Sequence, residues 1–408
     1  MMKKIMIIGA GDFQLPLVQK AAESCHVILV APAIGEEFLP YIDKKYLLDV
    51  RKKEEILAIA RQEQIDGVIT DQTDIAVRSV AYVAEQMGLP GIGYETGCLF
   101  TDKRLMREKM EALGIPVLPN KTVYSLEDGL KFYQEIGGTV IIKPVDTQGS
   151  RGVQICRNAE ELEEKYAEAE RWSSDHSVMI ERCATGREFV VEGLAWNYEF
   201  RNLNCGDTLY FNLPDAFAAK SRIFPSTADA ALTKRVCDLN ARIITGFGLK
   251  QGITHSEFIM EGDDIYLMET AARGGGVFIS SDLISLSTGL HTEEYLLNIA
   301  LGQQEALPEI LPQQCYCGYM AFYIPTGKVI RAEGMREVQE LPFVHRNQLD
   351  ELKQGMVNTG GMSDKTTRLA IIVSGATREE LNARMQTVRD MLRVEVETED
   401  GIKGLIWE

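Results

Sequence analysis

Gly252-Ile253-Thr254-His255-Ser256-Glu257-Phe258-Ile259-Met260 is followed, after Glu261, by Gly262-Asp263, then by Ile265-Tyr266-Leu267-Met268-Glu269-Thr270-Ala271-Ala272-Arg273-Gly274-Gly275-Gly276. Two apolar runs flank a glycine turn, so the stretch reads as a β-hairpin. Side chains alternate faces along a strand. Glu257 then lies with His255 and Ile259, and Glu269 with Leu267 and Ile265. A three-residue loop at 262–264 pairs 257 with 269 and puts their Cβ atoms about 5 Å apart on one face. A two-residue loop breaks that alignment. Like charges side by side in a half-buried strand pair cost free energy unless a cation joins them. Oxygen ligands with nothing soft nearby select magnesium or manganese, and magnesium usually bridges to nucleotide phosphates. The competing reading is two surface glutamates on an exposed hairpin, which the apolar neighbours disfavour. Arg273 sits beyond the strand end, before three glycines that let backbone approach a ligand. Its guanidinium fork suits a carboxylate or phosphate.

Upstream, Val140-Ile141-Ile142-Lys143-Pro144 leads into Asp146-Thr147-Gln148-Gly149-Ser150-Arg151-Gly152. A lysine ending an apolar strand is held rigidly at a cleft, and a small-residue loop can expose N–H groups to phosphate oxygens. The plain alternative is a hairpin with a solvated lysine. No glycine-lysine-serine/threonine run follows, so this is not a Walker loop, and the absence of HRD and DFG sequences excludes a protein kinase. Val178 to Glu188 ends one strand and starts the next, and Glu188 could accept hydrogen bonds from ribose hydroxyls. Lys220 and Arg222 are candidates for a mobile phosphate or substrate contact. The helix carrying Asp102, Lys103, Arg104 and Arg107 reads as a solvated charged face, with Lys103 a weaker nucleotide candidate. His255 reads as structural. The N-terminal Gly9-Ala10-Gly11 follows a strand, but Gln14 stands where a dinucleotide fingerprint needs glycine. The second strand also ends in Val30-Ala31-Pro32, with no acid for a ribose.

The chain has 408 residues, 45% of them hydrophobic and 25% charged, with a net charge of -17. The acidic balance argues against a nucleic-acid or anionic-membrane surface. No apolar run is long enough to span a bilayer, and MMKKIMIIGAG reads as a first strand rather than a leader. Eight scattered cysteines read as free thiols of a cytoplasmic protein. Strand and helix signals alternate over residues 1–100, which predicts a parallel sheet with helices on its faces. Longer, hairpin-like strands follow. Three units are expected: 1–100, 101–310 with a lid at about 118–190, and 311–408. The fold class is therefore α/β joined to α+β.

Taken in order, these segments resemble the ATP-grasp superfamily over most of the chain, in the branch of carboxylate–amine ligases. That branch includes L-amino acid ligases and is similar to purine-pathway ligases and the carbamoyl phosphate synthase large chain. The resemblance implies a nucleotide site of Lys103, Lys143, the loop with Gly149 and Ser150, an adenine hinge over Glu181, Cys183 and Glu188, and Lys220. It implies metal ligands Glu257 and Glu269, and catalytic roles for Arg273 and Lys143. ATP with magnesium (or manganese) would activate a small carboxylate as an acyl phosphate for attack by an amine. The stretch Thr367 to Gly375 looks like the last domain of the amino acid ligases. One departure stands out: the family text Glu-x-Asn-x-Arg has Ala271 at its asparagine. Ala271 also motivates a second expectation, a nucleotide-binding regulator with reduced turnover. A carboxylase or a ligase acting on a purine-like substrate is a third. A homodimer is the default assembly.

Overall fold

The computed structural model describes residues 2–147, 149, 151–213, 217–311, 313–360 and 368–408. Strands β1 (Lys3–Ile8), β2 (Cys25–Ala31), β3 (Lys44–Leu47) and β4 (Gly67–Ile69) form a parallel sheet in the order β3-β2-β1-β4. Its inner strands are apolar on both faces because helices cover both. The loops after β1 and β4, residues 9–11 and 70–74, lie at the carboxyl ends of the strands, where crevices form in such sheets.

A second, antiparallel sheet runs β5-β8-β6-β7 and comprises β5 (Asn120–Val123), β6 (Val140–Pro144), β7 (Gln154–Cys156) and β8 (Val178–Arg182). Ile142 and Ile180 pack on Leu162 and Tyr166 of the helix Ala159–Trp172. Alternation then turns Lys143 and Glu181 to the opposite face.

The central sheet has the order β13-β12-β9-β10-β11-β14-β18-β16. Its strands are β9 (Arg187–Trp196), β10 (Glu199–Tyr210), β11 (Ala219–Phe224), β12 (Gln251–Glu261), β13 (Asp264–Ala271), β14 (Tyr316–Tyr323), β16 (Val344–Asn347) and β18 (Arg368–Gly375). The stretch past 311 thus extends this sheet. It also builds a small sheet from β15 (Gly327–Glu333), β17 (Val357–Asn358), β19 (Arg393–Thr398) and β20 (Gly401–Lys403). Among the described residues no helix is long and apolar enough to cross a membrane.

The helix Ala230–Phe247 covers one face of the central sheet. Its Val236, Ile243, Ile244 and Phe247 pack on Phe189 and Val191 of β9 and on Phe258 and Leu267 of the hairpin. The intervening residues Glu188, Glu192, His255 and Glu257 therefore share the other face. Phe258 is fully buried in this layer. Phe258→Ala is expected to cost about 3–5 kcal/mol of stability, read from denaturant unfolding, and a loss under about 1 kcal/mol would contradict this packing.

Candidate active site

Glu257 and Glu269 do oppose each other, but by another route than a three-residue loop. Glu261 pairs with Asp264, so the turn holds only Gly262 and Asp263. Gly262 has φ 60°, which glycine adopts readily at the first position of a tight hairpin turn. Pairing then runs Met260 with Ile265, Ile259 with Tyr266 and Phe258 with Leu267. Continued regularly, it would set Glu257 against Met268. A β-bulge skips Met268 and restores the pair Glu257 and Glu269. The bulge also corrects the expected faces. Leu267 lies in the core beside Phe258, so Glu269 shares the face of Glu257 and not that of Leu267 and Ile265. The Met268 carbonyl accepts a hydrogen bond from Arg107 Nη2 at 2.8 Å.

Each carboxylate has one oxygen in an ion pair. Glu257 Oε1 pairs with Arg222 Nη2 on β11, and Glu269 Oε1 lies 2.9 Å from Lys103 Nζ. Neither Oε2 has a hydrogen-bond partner among the described residues. His255 Nε2 lies 2.7 Å from Arg222 Nη1 and 3.1 Å from Glu257 Oε1, and its Nδ1 bonds to the buried Glu192. His255 is thus built into the site network. Burial works against ionisation of Glu257, but the Arg222 charge and the His255 contact outweigh it and hold the carboxyl well below the usual range. Glu188 differs. Burial, opposed by the Tyr210 hydroxyl that donates to it at 2.7 Å, pushes it up to about 7, with the Glu257 charge adding to the rise.

The helix Lys103–Ala112 is not the solvated face its charges imply. Asp102, Lys103 and Arg107 are all buried. Asp102 caps the helix by accepting from the N–H groups of Arg104 and Leu105. Lys103 Nζ, besides meeting Glu269, donates to the Thr147 carbonyl at 2.9 Å, which ties the Glu269 carboxylate to the chain at Thr147. Arg107 Nε donates to Glu181 Oε2 at 2.7 Å, and Lys143 Nζ donates to Glu181 Oε1 at 2.7 Å. Glu181 is 0% exposed. Its side chain is therefore the counter-ion of Lys143 and Arg107, while the hinge reading rests on the backbone groups of this segment.

The other expected site residues are placed as follows. Arg273 donates Nε and Nη2 to Asp74 at 2.9 and 2.7 Å, and Nη1 to the Gly274 carbonyl, so its fork is taken by protein groups. Lys220 pairs with Glu408, so the expected mobile phosphate contact is engaged by the last residue of the sequence. Cys183 is half-buried, with its N–H bonded to the Thr139 carbonyl, and burial raises its thiol. Gly149 adopts φ 71°, and Ser150 lies outside the described residues. Ala271 is buried opposite His255 and presents only a methyl group. Three members of the network, Glu192, Arg107 and Asp74, were not singled out from the sequence. Glu192 alone carried a signal, as the one acid between Phe189 and Trp196 in an apolar strand.

Residues 102–195 match the family described as "Carbamoyl-phosphate synthase L chain, ATP binding domain". That stretch matches an ATP-binding domain of the ATP-grasp kind. It is 28% identical over 336 residues to the "Carbamoyl phosphate synthase large chain, N-terminal section" of Aquifex aeolicus (strain VF5), covering 74% of this chain and 58% of that protein. It is 25% identical over 290 residues to the "Alanine--anticapsin ligase" of Bacillus subtilis, covering 64% and 60% respectively. This chain thus spans under two thirds of the length of these curated relatives. The L-amino acid ligase from Bacillus licheniformis superimposes with a TM-score of 0.82 over 97% of this chain and 99% of that one, at 22% identity, a likeness of fold.

The Lys143–Glu181–Arg107 cluster generates a test. Glu181→Gln leaves two buried cations uncompensated and is expected to cost about 3–5 kcal/mol. The Glu181 carboxyl is held near 2 against an ordinary 4.5, because Arg107 and Lys143 outweigh the effect of burial. A depressed carboxyl contributes stability above its unfolded value and loses it as pH falls towards the folded one. Thermal unfolding of the native chain should therefore weaken across that acid window, and Glu181→Gln should flatten the dependence. Equal melting of the two proteins at neutral pH would contradict the cluster's role.

Proposed function

We propose that this chain is an ATP- and magnesium-dependent ligase that forms a C–N bond between a small carboxylate and an amine. The observation that carries this is the bulge-aligned pair Glu257 and Glu269, each with one oxygen held by a protein cation and the other left open on a shared face. Two oxygen donors of this kind fit magnesium or manganese whose remaining ligands come from phosphate and water. Bound there, the metal supplies charge neutralisation to the phosphoryl group in transfer.

The chain's own groups would do the rest. Lys143 and Lys103 meet the nucleotide phosphates, Lys143 held in place by Glu181. The N–H groups of the loop that includes Gly149 would close over the phosphates and exclude water from the acyl phosphate. Glu188, beside Tyr210, is the ribose candidate, and the half-buried Cys183 lies on the hinge. Arg273 would meet the acyl phosphate by exchanging Asp74 for it. An amino acid as one substrate is supported by the names of the Bacillus relatives.

The test is ADP release with magnesium and a panel of amino acids and small carboxylates. Glu269→Ala is expected to lower turnover by roughly 100-fold or more. Full turnover by that variant would remove Glu269 from the metal site. ATP binding without phosphate release across the whole panel would favour instead a nucleotide-binding regulator, the reading that the methyl group at Ala271 supports.

A further inference from the structure

The cations nearest the proposed reaction centre are already engaged. Arg273 uses Nε, Nη1 and Nη2 on Asp74 and Gly274. Arg222 uses both Nη groups on His255 and Glu257. Arg346 is different. It comes from β16, in the last third of the chain, and reaches Asp282 through Nε alone, at 2.9 Å to each carboxylate oxygen. Its Nη1 and Nη2 have no hydrogen-bond partner among the described residues, and its side chain is 35% exposed. The guanidinium lies over the Phe278 ring, 4.9 Å from its centroid. Asp282 and Phe278 thus hold the plane of the group while its outer edge stays open, the geometry in which a guanidinium receives a second oxyanion.

The support under Arg346 is unusual. Val277 and Phe278 both have φ 58°, and Gln72, which faces them, has φ 56°. A β-branched or bulky residue rarely adopts that conformation, and such residues cluster at ligand sites where the surroundings impose them. Here the surroundings are visible. Gln72 Oε1 accepts from the Phe278 N–H at 3.1 Å, Gln72 Nε2 donates to the Phe13 carbonyl at 2.7 Å, and the Phe13 and Phe278 rings meet edge-on at 4.9 Å. This turn begins directly after Gly275, whose N–H is bonded to Glu192 and through it to His255 and Glu257. The N-terminal sheet, the strand end after Glu269 and the C-terminal region therefore meet at Phe278, three residues beyond Gly275, which Glu192 and His255 link to Glu257.

We propose that Arg346 is a specificity-determining residue that grips an anionic oxygen group of the substrate other than the carboxylate being activated. This rests on the ligase reading for its meaning, but not for its test. The full chain is titrated calorimetrically with small dicarboxylates, with phosphorylated counterparts and with the matching neutral amides, in native, Arg346→Met and Arg346→Lys forms. One acidic class is expected to bind the native chain roughly tenfold or more tightly than its neutral counterpart, the ratio expected for a charge-assisted contact. Arg346→Met should erase that preference and leave ATP binding unchanged. Arg346→Lys keeps the charge over Phe278 without the fork and should restore part of it. Which class shows the preference decides between carboxylate and phosphate. A preference that survives Arg346→Met, or no preference in the native chain, overturns the assignment. ADP release measured on the same compounds with ATP, magnesium and a panel of amino acids as amines reads the ligase proposal separately. Arg346-dependent binding without ADP release would sink that proposal and leave the assignment standing.

Discussion

Glu257 and Glu269 are like charges placed directly opposite each other in a sheet, and the arrangement of the site follows from compensating them. Such a pair is destabilising by itself. Arg222 and Lys103 each take one oxygen, and come from β11, three strands along the sheet from Glu257, and from the helix Lys103–Ala112. Lys103 also binds the Thr147 carbonyl, so the same charge that relieves Glu269 connects the hairpin to the segment after Lys143 proposed to cover a nucleotide. Among the described residues the second oxygen of each carboxylate has no partner, which is the basis of the proposed cation site.

The second constraint lies deeper. Glu181 has no exposed surface and holds Arg107 and Lys143 at once. Arg107 reaches past it to the bulge carbonyl of Met268. One buried cluster thus joins the helix Lys103–Ala112, the lid sheet and the irregularity that aligns the carboxylate pair. Buried ions are costly to remove from water unless paired and hydrogen-bonded, so a change at any member is felt by the others. Lys143 is presented as a positioned charge because Glu181 anchors it, and the depressed Glu181 carboxyl keeps that anchor ionised at neutral pH.

The cleft between the N-terminal sheet and the central sheet is organised by partner exchange across the chain. Asp74 takes Arg273, Gln72 takes the Phe278 N–H, and Asp282 takes Arg346. All three contacts converge on residues 273–282, a stretch of glycines and of backbone in the left-handed region. A segment of that kind packs no core by itself and is shaped by what surrounds it. On the proposed function, substrate choice would thus be decided by groups from three distant parts of the sequence, while phosphate handling would rely on the strands and loops near Lys143.

The sequence by itself determined the classes of structure and singled out the charges that the proposed chemistry uses. Alternating apolar runs marked the parallel sheet and the hairpin, because burial of one face imposes a period that is local. Glu257, Glu269 and Lys143 stood out because each is a charge in an otherwise apolar strand. The match at residues 102–195 covers the strand of Lys143 but not the hairpin of Glu257 and Glu269. Only the tertiary structure decided the register and the partners. The bulge at Met268 depends on Leu267 entering the core and on Arg107 meeting the freed carbonyl, neither of which is local to the hairpin. Arg107 and Glu181 are 74 residues apart, and Arg273 and Asp74 are 199 apart. The free energy of a charged side chain is set by the groups the fold brings within a few ångströms of it. For that reason the helix of Lys103 and Arg107 looked solvated in sequence and is buried in the structure.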